Sequence, residues 1–228
     1  MEQPGKTHDH MAFVNKYSQY GEEEHILHIF DVLGIAKGHL VDLGAGDGYT
    51  MSNSRALLDK GWTGDLYDGD PKGAKDVTKA WITLDSITAF SFDCDFLNLD
   101  IDGNDYHILA SILGWYDERR RDYGDGTMPA LIVCEINPIF GRDEAKVMPY
   151  NAEHVWQNNT YYGGSLAAFE KLAAQYGYAP IYLHHSLNLF LLRNDHAEAH
   201  PELIKPIEYV QKWNHARHNP ALPWITLS

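Results

Sequence analysis

Acidic side chains recur in this sequence at one kind of place, directly after a short apolar run. Leu40-Val41 leads into Asp42-Leu43-Gly44, Leu66-Tyr67 into Asp68, Leu97-Asn98-Leu99 into Asp100-Ile101-Asp102, and the run ending at Cys134 into Glu135-Ile136-Asn137. A single carboxylate at a buried edge is common. Several converging ones are costly unless a cation, a hydroxylated ligand or a metal accepts them. The first acid is followed at once by a glycine-rich turn, Gly44-Ala45-Gly46-Asp47-Gly48. Glycines at 44, 46 and 48 remove the Cβ atoms that would keep a backbone away from a nucleotide-like ligand, and they permit positive φ.

The spacing of that turn bears on the ligand. A dinucleotide fingerprint reads G-x-G-x-x-G, whereas this turn reads G-x-G-x-G with Asp47 inside it. An acid there is a poor neighbour for a pyrophosphate and a good one for a cationic amino-acid head or a ribose. S-adenosylmethionine (SAM) carries both. With that ligand, Gly44, Ala45, Gly46 and Gly48 would cradle the cofactor, Asp42 and Asp47 would lie near its ammonium end, and Asp68 would hold the ribose hydroxyls. The competing role for Asp68 is a helix cap before Pro71, although Asp70 is better placed for that. Asp85 and Ser86, in the turn after the next strand candidate, would lie beside the base. Asp100, closing its strand, would lie beside the methyl of that cofactor.

Transfer to oxygen gains from a general base or a metal, because a hydroxyl keeps its proton until late. Asp100, Asp102 and Glu135 are the catalytic candidates, with His107 as a further base. Asp102, Asp105, Glu135 and Asn137 offer hard oxygens that suit Mg²⁺. The plain alternative for Asp102 to Asp105 is a capped turn into the next helix. His25 and His28, three apart on a helix, lack a third ligand nearby and read as surface histidines. His184-His185 reads as a solvated hairpin tip.

The elements that must carry these residues follow from periodicity and punctuation. A helix begins at Glu22-Glu23-Glu24, whose acids suit the positive end of its dipole, and Gly34 ends it. The strand before the glycine turn is followed by a helix from Met51 to Lys60, with Gly61 as its C-cap. Gly64 to Asp68 is a second strand, Pro71 to about Lys79 a helix, and Ala80 to Thr83 a short strand. Asp93 to Asp100 is a strand and Tyr106 to about Tyr116 a helix. Residues 117 to 128 read as a charged loop, in which the basic run Arg119-Arg120-Arg121 is neutralised by Asp117, Glu118 and Asp122. Pro129 to Cys134 is the most apolar strand. An irregular, aromatic-rich stretch from 138 to about 163 precedes an amphipathic helix with Leu166, Phe169, Leu172 and Ala173 on one face. Tyr178–Leu183 and Leu187–Arg193 form a hairpin, and Pro201 to His215 reads as a helix before a Pro-broken tail. Residues 1 to about 16 read as a mobile end. The pattern is that of an α/β protein: one domain over 1–228, a mostly parallel sheet with helices on both faces, a terminal antiparallel hairpin, and a helical extension over 195–228. Ligands of such sheets lie outside the carboxyl ends of the strands, where the acids stand.

The chain has 228 residues and a formal net charge of −14. That balance argues against nucleic acid as the main partner, because binding phosphates needs clustered Lys and Arg. No run approaches membrane-span length and no signal-peptide core opens the chain, so the expectation is a cytoplasmic protein without a membrane partner. Cys94 and Cys134 lie in or beside apolar runs and read as buried free thiols. Oligomeric state is left open.

The glycine turn, the acid at 68, the strand order and the closing hairpin resemble class I SAM-dependent methyltransferases. More narrowly, Ser18-Gln19-Tyr20-Gly21-Glu22, Gly61-Trp62-Thr63-Gly64 leading to Asp68-Gly69-Asp70-Pro71, and Leu99-Asp100-Ile101-Asp102-Gly103-Asn104-Asp105 resemble the FkbM-type methyltransferases. The likeness runs from about 17 to 194. It implies a doubly wound, Rossmann-like sheet of seven strands, SAM as cofactor, a place for Gln19 at its amino-acid portion, and a small-molecule or sugar-like acceptor, methylated on oxygen. Asp68 stands where such proteins more often carry Glu, and Asn98 where they often carry Lys. Two rival functions share these motifs: a module that binds or cleaves SAM without an acceptor, and a nicotinamide-dependent oxidoreductase.

Overall fold

Residues 40–43, 96–99 and 131–134 are buried without alternation, which is what a parallel sheet covered by helices on each side requires. The computed structural model describes residues 16–123, 128–212 and 221–228. Its elements in chain order are α1 (Glu22–Val32), β1 (His39–Leu43), α2 (Arg55–Asp59), β2 (Thr63–Asp68), β3 (Thr78–Lys79), β4 (Phe96–Leu99), α3 (Asp105–Tyr123), β5 (Leu131–Glu135), β6 (Lys146–Val147), α4 (Leu166–Gln175), β7 (Tyr178–His184), β8 (Asn188–Arg193), α5 (Asn194–Ala199) and β9 (Ile225–Thr226). The main sheet has seven strands in the order β3-β2-β1-β4-β5-β8-β7. Strands β3 to β5 of that row run parallel, and β8 is antiparallel to both β5 and β7. This is the expected Rossmann-like, doubly wound sheet with its closing hairpin.

Val41, Leu43, Leu97, Leu99, Ile132 and Cys134 point to the face covered by α3 and α4. Leu40, Phe96, Leu131 and Val133 point to the other, against α1, α2 and α5. Cys94 and Cys134 are buried free thiols. No helix among the described residues is long and apolar enough to cross a membrane.

Four elements differ from expectation, each for a local reason. Helix α2 starts at Arg55 rather than Met51, because Met51 is left-handed at φ 56° and the Ser52 hydroxyl accepts the Ser54 and Arg55 N–H groups. No helix follows Pro71: Lys72 and Gly73 have φ of 50° and 82°, and the chain instead adds β3 to the sheet edge at 78–79, leaving 80–83 outside any strand. Helix α3 runs to Tyr123, into the expected charged loop over 117–128 but short of its Gly124 and Gly126. Residues 117–123 contain no helix breaker, Arg121 pairs with Asp117 one turn back (3.7 Å), and Arg119 reaches Asp93 (3.8 Å) and lies over the Trp115 ring.

The fourth difference is the C-terminal segment. After α5 and a 3-10 turn at Pro201–Leu203, residues 204–212 are extended instead of helical. Residues 213–215 of the expected helix, like residues 1–15 of the expected mobile end, lie outside the described residues. The extended segment crosses the hairpin and the 138–140 loop through Lys205 N–H to Ile181 O (2.8 Å), Val210 N–H to Ser186 Oγ (2.9 Å) and Lys212 N–H to Pro138 O (2.8 Å). Further on, β9 pairs with β6, Trp224 packs on Phe140 and Tyr161, and the Tyr161 hydroxyl donates to Pro223 O. The irregular 138–163 loop is therefore strapped down from outside. Truncation after Leu203 is expected to open it: limited proteolysis should cut within 138–163 at least roughly tenfold faster than in the full chain. An unchanged digestion pattern would mean the loop holds itself.

Candidate active site at the carboxyl edge of the sheet

The strand order reverses at β1, between β2 and β4, so the carboxyl ends of β1 and β4 diverge there and leave a crevice. The glycine turn forms one wall. Gly44 and Ala45 N–H both donate to Tyr67 O (2.9 and 3.1 Å), which ties the turn to β2. Gly44 has φ 92°, and a Cβ on it would lie 1.6 Å from the Asp100 carbonyl oxygen. No other residue lets β1 pass so close to β4. Gly46, at φ 59°, has nothing within 4 Å of where a Cβ would be. Its N–H donates to Asp68 Oδ2 (2.8 Å), and Asp70 N–H donates to Asp68 Oδ1 (2.7 Å), so the Asp68 carboxylate is aimed before any ligand arrives.

A cavity of about 710 Å³ opens beyond the turn. Of the predicted residues, it is lined by Gln19, Asp42, Gly44, Ala45, Gly46, Asp68, Asp100, Asp102 and Glu135. Gln19 comes from far in sequence and is held by two buried acids. Glu23 accepts the N–H groups of Lys16, Tyr17 and Ser18, and Glu22 accepts those of Tyr20 and of the Asn188 side chain (2.8 Å each). The helix-dipole role expected of these acids is joined by this second one, the anchoring of the segment that reaches the cavity.

Four predicted residues lie off its wall. Asp47 turns outward, its carboxylate accepting from Tyr49 N–H, Thr50 N–H and Thr50 Oγ1, and the Thr50 and Tyr49 bonds lower its pKa. Gly48 packs against Val77 and Leu66. Ser86 Oγ donates to Trp81 O (2.8 Å) and accepts Thr83 N–H, while Asp85 starts a 3-10 turn. At that place the wall is Trp81 and Ile82. The Trp81 indole lies on Gly69, where a Cβ would be 2.7 Å from the ring, and its Nε1 donates to Ala152 O (2.7 Å).

The floor is acidic. Asp100, Asp102 and Glu135 each place an oxygen within 4.8 Å of the others. Burial drives Asp100 and Glu135 well above the ordinary carboxylate range, the neighbouring acids add to it, and the two carboxyl groups hydrogen-bond to each other, which one of them does as the acid. Glu135 Oε2 has no partner. Asp102 is at the open end, and loss of solvent on its inner side, with Asp105 and Asp68 nearby, pushes it up to about 6. Asp105 and Asn137, expected as metal ligands, serve the backbone instead. Asp105 accepts Ile101 and Gly103 N–H (2.8 Å each), while Asn137 Nδ2 donates to Thr160 O and Tyr162 O and its Oδ1 accepts Ile139 N–H. His107 Nε2 bonds to Met148 O and does not line the cavity. His25 packs among Tyr182, His184 and Phe190, and burial lowers it to about 4. His184 bonds to the Tyr182 hydroxyl and to Tyr20 O, so it is no solvated tip.

Other lining residues went unrecognised in the sequence. Asn98, opposite Asp42 in register, donates to Asp42 Oδ1 (2.8 Å) and accepts from Asn53 Nδ2 (3.0 Å). Burial raises Asp42, and the Asn98 bond counters it. His154 also lines the cavity; its ring lies against Gly103, where a Cβ would be 2.5 Å away, and its buried Nε2 has no partner. The register of Asn98 against Asp42 was the one available signal. His154 belongs to the aromatic-rich stretch over 138–163, whose length marks a binding loop, but that it is this residue of the stretch that reaches Gly103 was decided by tertiary contacts.

No family model and no curated relative matches the sequence. Solved structures share the architecture at low similarity. The 1,6-didemethyltoxoflavin-N1-methyltransferase of Burkholderia thailandensis, with S-adenosylhomocysteine (SAH) bound, has a TM-score of 0.45 and 11% identity over 76% of this chain and 78% of its own. The magnesium protoporphyrin IX methyltransferase of Synechocystis PCC 6803, with SAM bound, has a TM-score of 0.42 and 10% identity over 75% and 77%. An O-methyltransferase from neocarzinostatin biosynthesis, with SAH and 1,4-dihydroxy-2-naphthoic acid bound, has a TM-score of 0.36 and 18% identity over 75% and 56%. Values this low decide nothing about what this chain binds or does, and the FkbM-type assignment finds no family match.

Proposed function

We propose that this chain is a SAM-dependent methyltransferase of FkbM type that transfers the methyl group to an oxygen of a small-molecule acceptor. The observation that carries this is the single cavity with two unlike halves. One half has an open glycine turn beside an aimed Asp68, and the other has a floor of three carboxyl groups. In the first half, Gly44 to Gly46 receive the cofactor's amino-acid end with Asp42 and Gln19, and Asp68 accepts the ribose hydroxyls. Trp81 and Ile82, rather than Asp85 and Ser86, stand beside the base.

SAM supplies an electrophilic methyl, so the protein's main task is alignment of the acceptor for in-line attack. The acceptor oxygen forms the new C–O bond as the C–S bond breaks, and its electron pair stays on sulfur to give SAH. The hydroxyl proton passes to the Asp102 carboxylate and from the open end to solvent. Asp100 and Glu135 keep negative charge and a hydrogen-bond acceptor beside the reacting centre. The oxygens of Asp100, Asp102 and Glu135 also fit the hard-donor preference of Mg²⁺, which bound there would acidify the acceptor hydroxyl.

Calorimetry should find SAH binding and no NAD(H) binding. Asp68→Ala should weaken SAH by roughly ten- to a hundredfold, the loss of charge-assisted hydrogen bonds worth ~1.5–3 kcal/mol. NAD(H) binding without SAH affinity would make the chain an oxidoreductase candidate instead. SAH binding with no SAM turnover on any acceptor would leave a binding module.

A further inference from the structure

Among the described residues, nine large hydrophobic side chains are exposed, and four of them, Met51, Trp81, Val155 and Trp156, border the one cavity described above. Scattered apolar residues are ordinary on a protein surface, but a concentration at a cleft mouth marks a contact site. Trp81 lies on the Gly69 backbone next to Asp68, on the cofactor side. Val155 and Trp156 sit on the loop that leads from β5 to α4. The Trp156 ring packs edge-on against Tyr162 (6.3 Å), whose pKa burial and the nearby Glu135 and Asp100 carboxyls raise, which puts the indole by the acidic floor. That loop is fastened. Asn104 and Asn151 exchange two hydrogen bonds (2.8 and 3.1 Å), and Trp81 Nε1 holds Ala152 O. Trp156 Nε1 donates to Asn159 O within its own loop (2.7 Å), so the indole needs no polar group from a ligand and offers its face.

The charge on the walls is one-sided. Six carboxyl side chains and a single ammonium, that of Lys72, line the cavity. A site so arranged repels an anion and leaves its charge unpaired. It also has room beyond a cofactor for a second, ring-sized molecule.

We infer that the acceptor is an amphipathic ring-bearing alcohol or phenol without an anionic group, its flat apolar body on Trp156 and Val155 and its hydroxyl directed to the acidic floor. This rests on the methyl-transfer function proposed above and names its substrate class. Phosphorylated sugars and carboxylic acids are excluded as acceptors, and free hexoses lack the body that the rim fits.

The test uses the full chain saturated with SAH and three probes followed by calorimetry: tryptophol, indole acetate and glucose. Tryptophol should bind roughly tenfold tighter than either of the others. Trp156→Ala should cost most of that preference while leaving SAH affinity within about twofold, because the indole packs against Tyr162 by the acidic floor. Equal binding of indole acetate or glucose overturns the inference, as does a Trp156→Ala variant that keeps the preference. Failure of SAH itself to bind overturns the methyl-transfer function instead, so the two failures are distinguishable.

Discussion

Gly44→Ala is expected to cost the protein most of its stability. The new methyl would sit 1.6 Å from the Asp100 carbonyl oxygen, backbone against backbone, where no rotamer change relieves the overlap. The residue is also left-handed at φ 92°, a strain of ~1–2 kcal/mol for any L side chain. Overpacking in a tight core adds ~1–3 kcal/mol or more. Together these approach the lower end of the ~5–15 kcal/mol that holds a domain folded. At ~2–4 °C per kcal/mol, Tm should fall by roughly ten degrees or more. Gly46→Ala is the matched control, since its Cβ would meet nothing within 4 Å. That variant should fold with a small loss and yet bind SAH at least roughly tenfold more weakly, because the methyl occupies the space kept for the cofactor. Unchanged SAH affinity in Gly46→Ala would rule out the turn as the cofactor cradle, whatever Gly44→Ala does to folding.

Glu135→Gln should separate stability from activity. Glu135 is withdrawn from water beside Asp100, Oε2 has no partner, and burial with the neighbouring acids holds its carboxyl well above its ordinary value of 4.5. A carboxyl whose folded pKa exceeds its unfolded one leaves stability unaffected below the unfolded pKa. It then lowers stability progressively as pH rises through the interval between them. The neutral isostere removes that loss, so the variant should match the wild type near pH 4 and exceed it at pH 7 by ~1–3 kcal/mol, a gain of several degrees in Tm. Turnover should drop roughly a hundredfold or more, because an amide can no longer share a proton with Asp100 beside the reacting centre. A variant with wild-type turnover, or with no pH-dependent gain in Tm, would remove Glu135 from the site chemistry.

Much of the architecture was legible in the residues. The strand at 39–43, the glycine turn, the strand ending at Asp68 and the 178–193 hairpin are local: short apolar runs bounded by Gly, Asp and Pro, whose backbone preferences act over a few residues. Convergence of Asp42, Asp68, Asp100 and Glu135 followed too, because parallel strands must present the same end to the same edge. Helix limits were less legible. Ser52 capping and the left-handed Met51 cut α2 short, and charge pairing carried α3 into a run that looked like a loop. These are small free-energy differences that neighbouring turns tip.

The division of labour among the acids was decided by the tertiary structure. Asp47 and Asp68 are equally placed in sequence to serve a ligand. The backbone of residues 49–50 claims Asp47, whereas Gly46 and Asp70 hold Asp68 toward the cavity. Asp105 and Asp102 share one motif, yet Asp105 caps the turn and Asp102 faces the open site. Sequence determined by itself where carboxylates would gather, since strand direction is a local consequence of the chain. Which of them remain available depends on which backbone N–H groups, Asn98 and Asn188 among the side chains, and the strapped 138–163 loop come within hydrogen-bond reach. Asp47 and Asp105 are claimed by N–H groups two to four residues away. Gly46, by contrast, reaches Asp68 across 22 residues, Asn98 reaches Asp42 across 56 and Asn188 reaches Glu22 across 166, and only the packed chain brings those together.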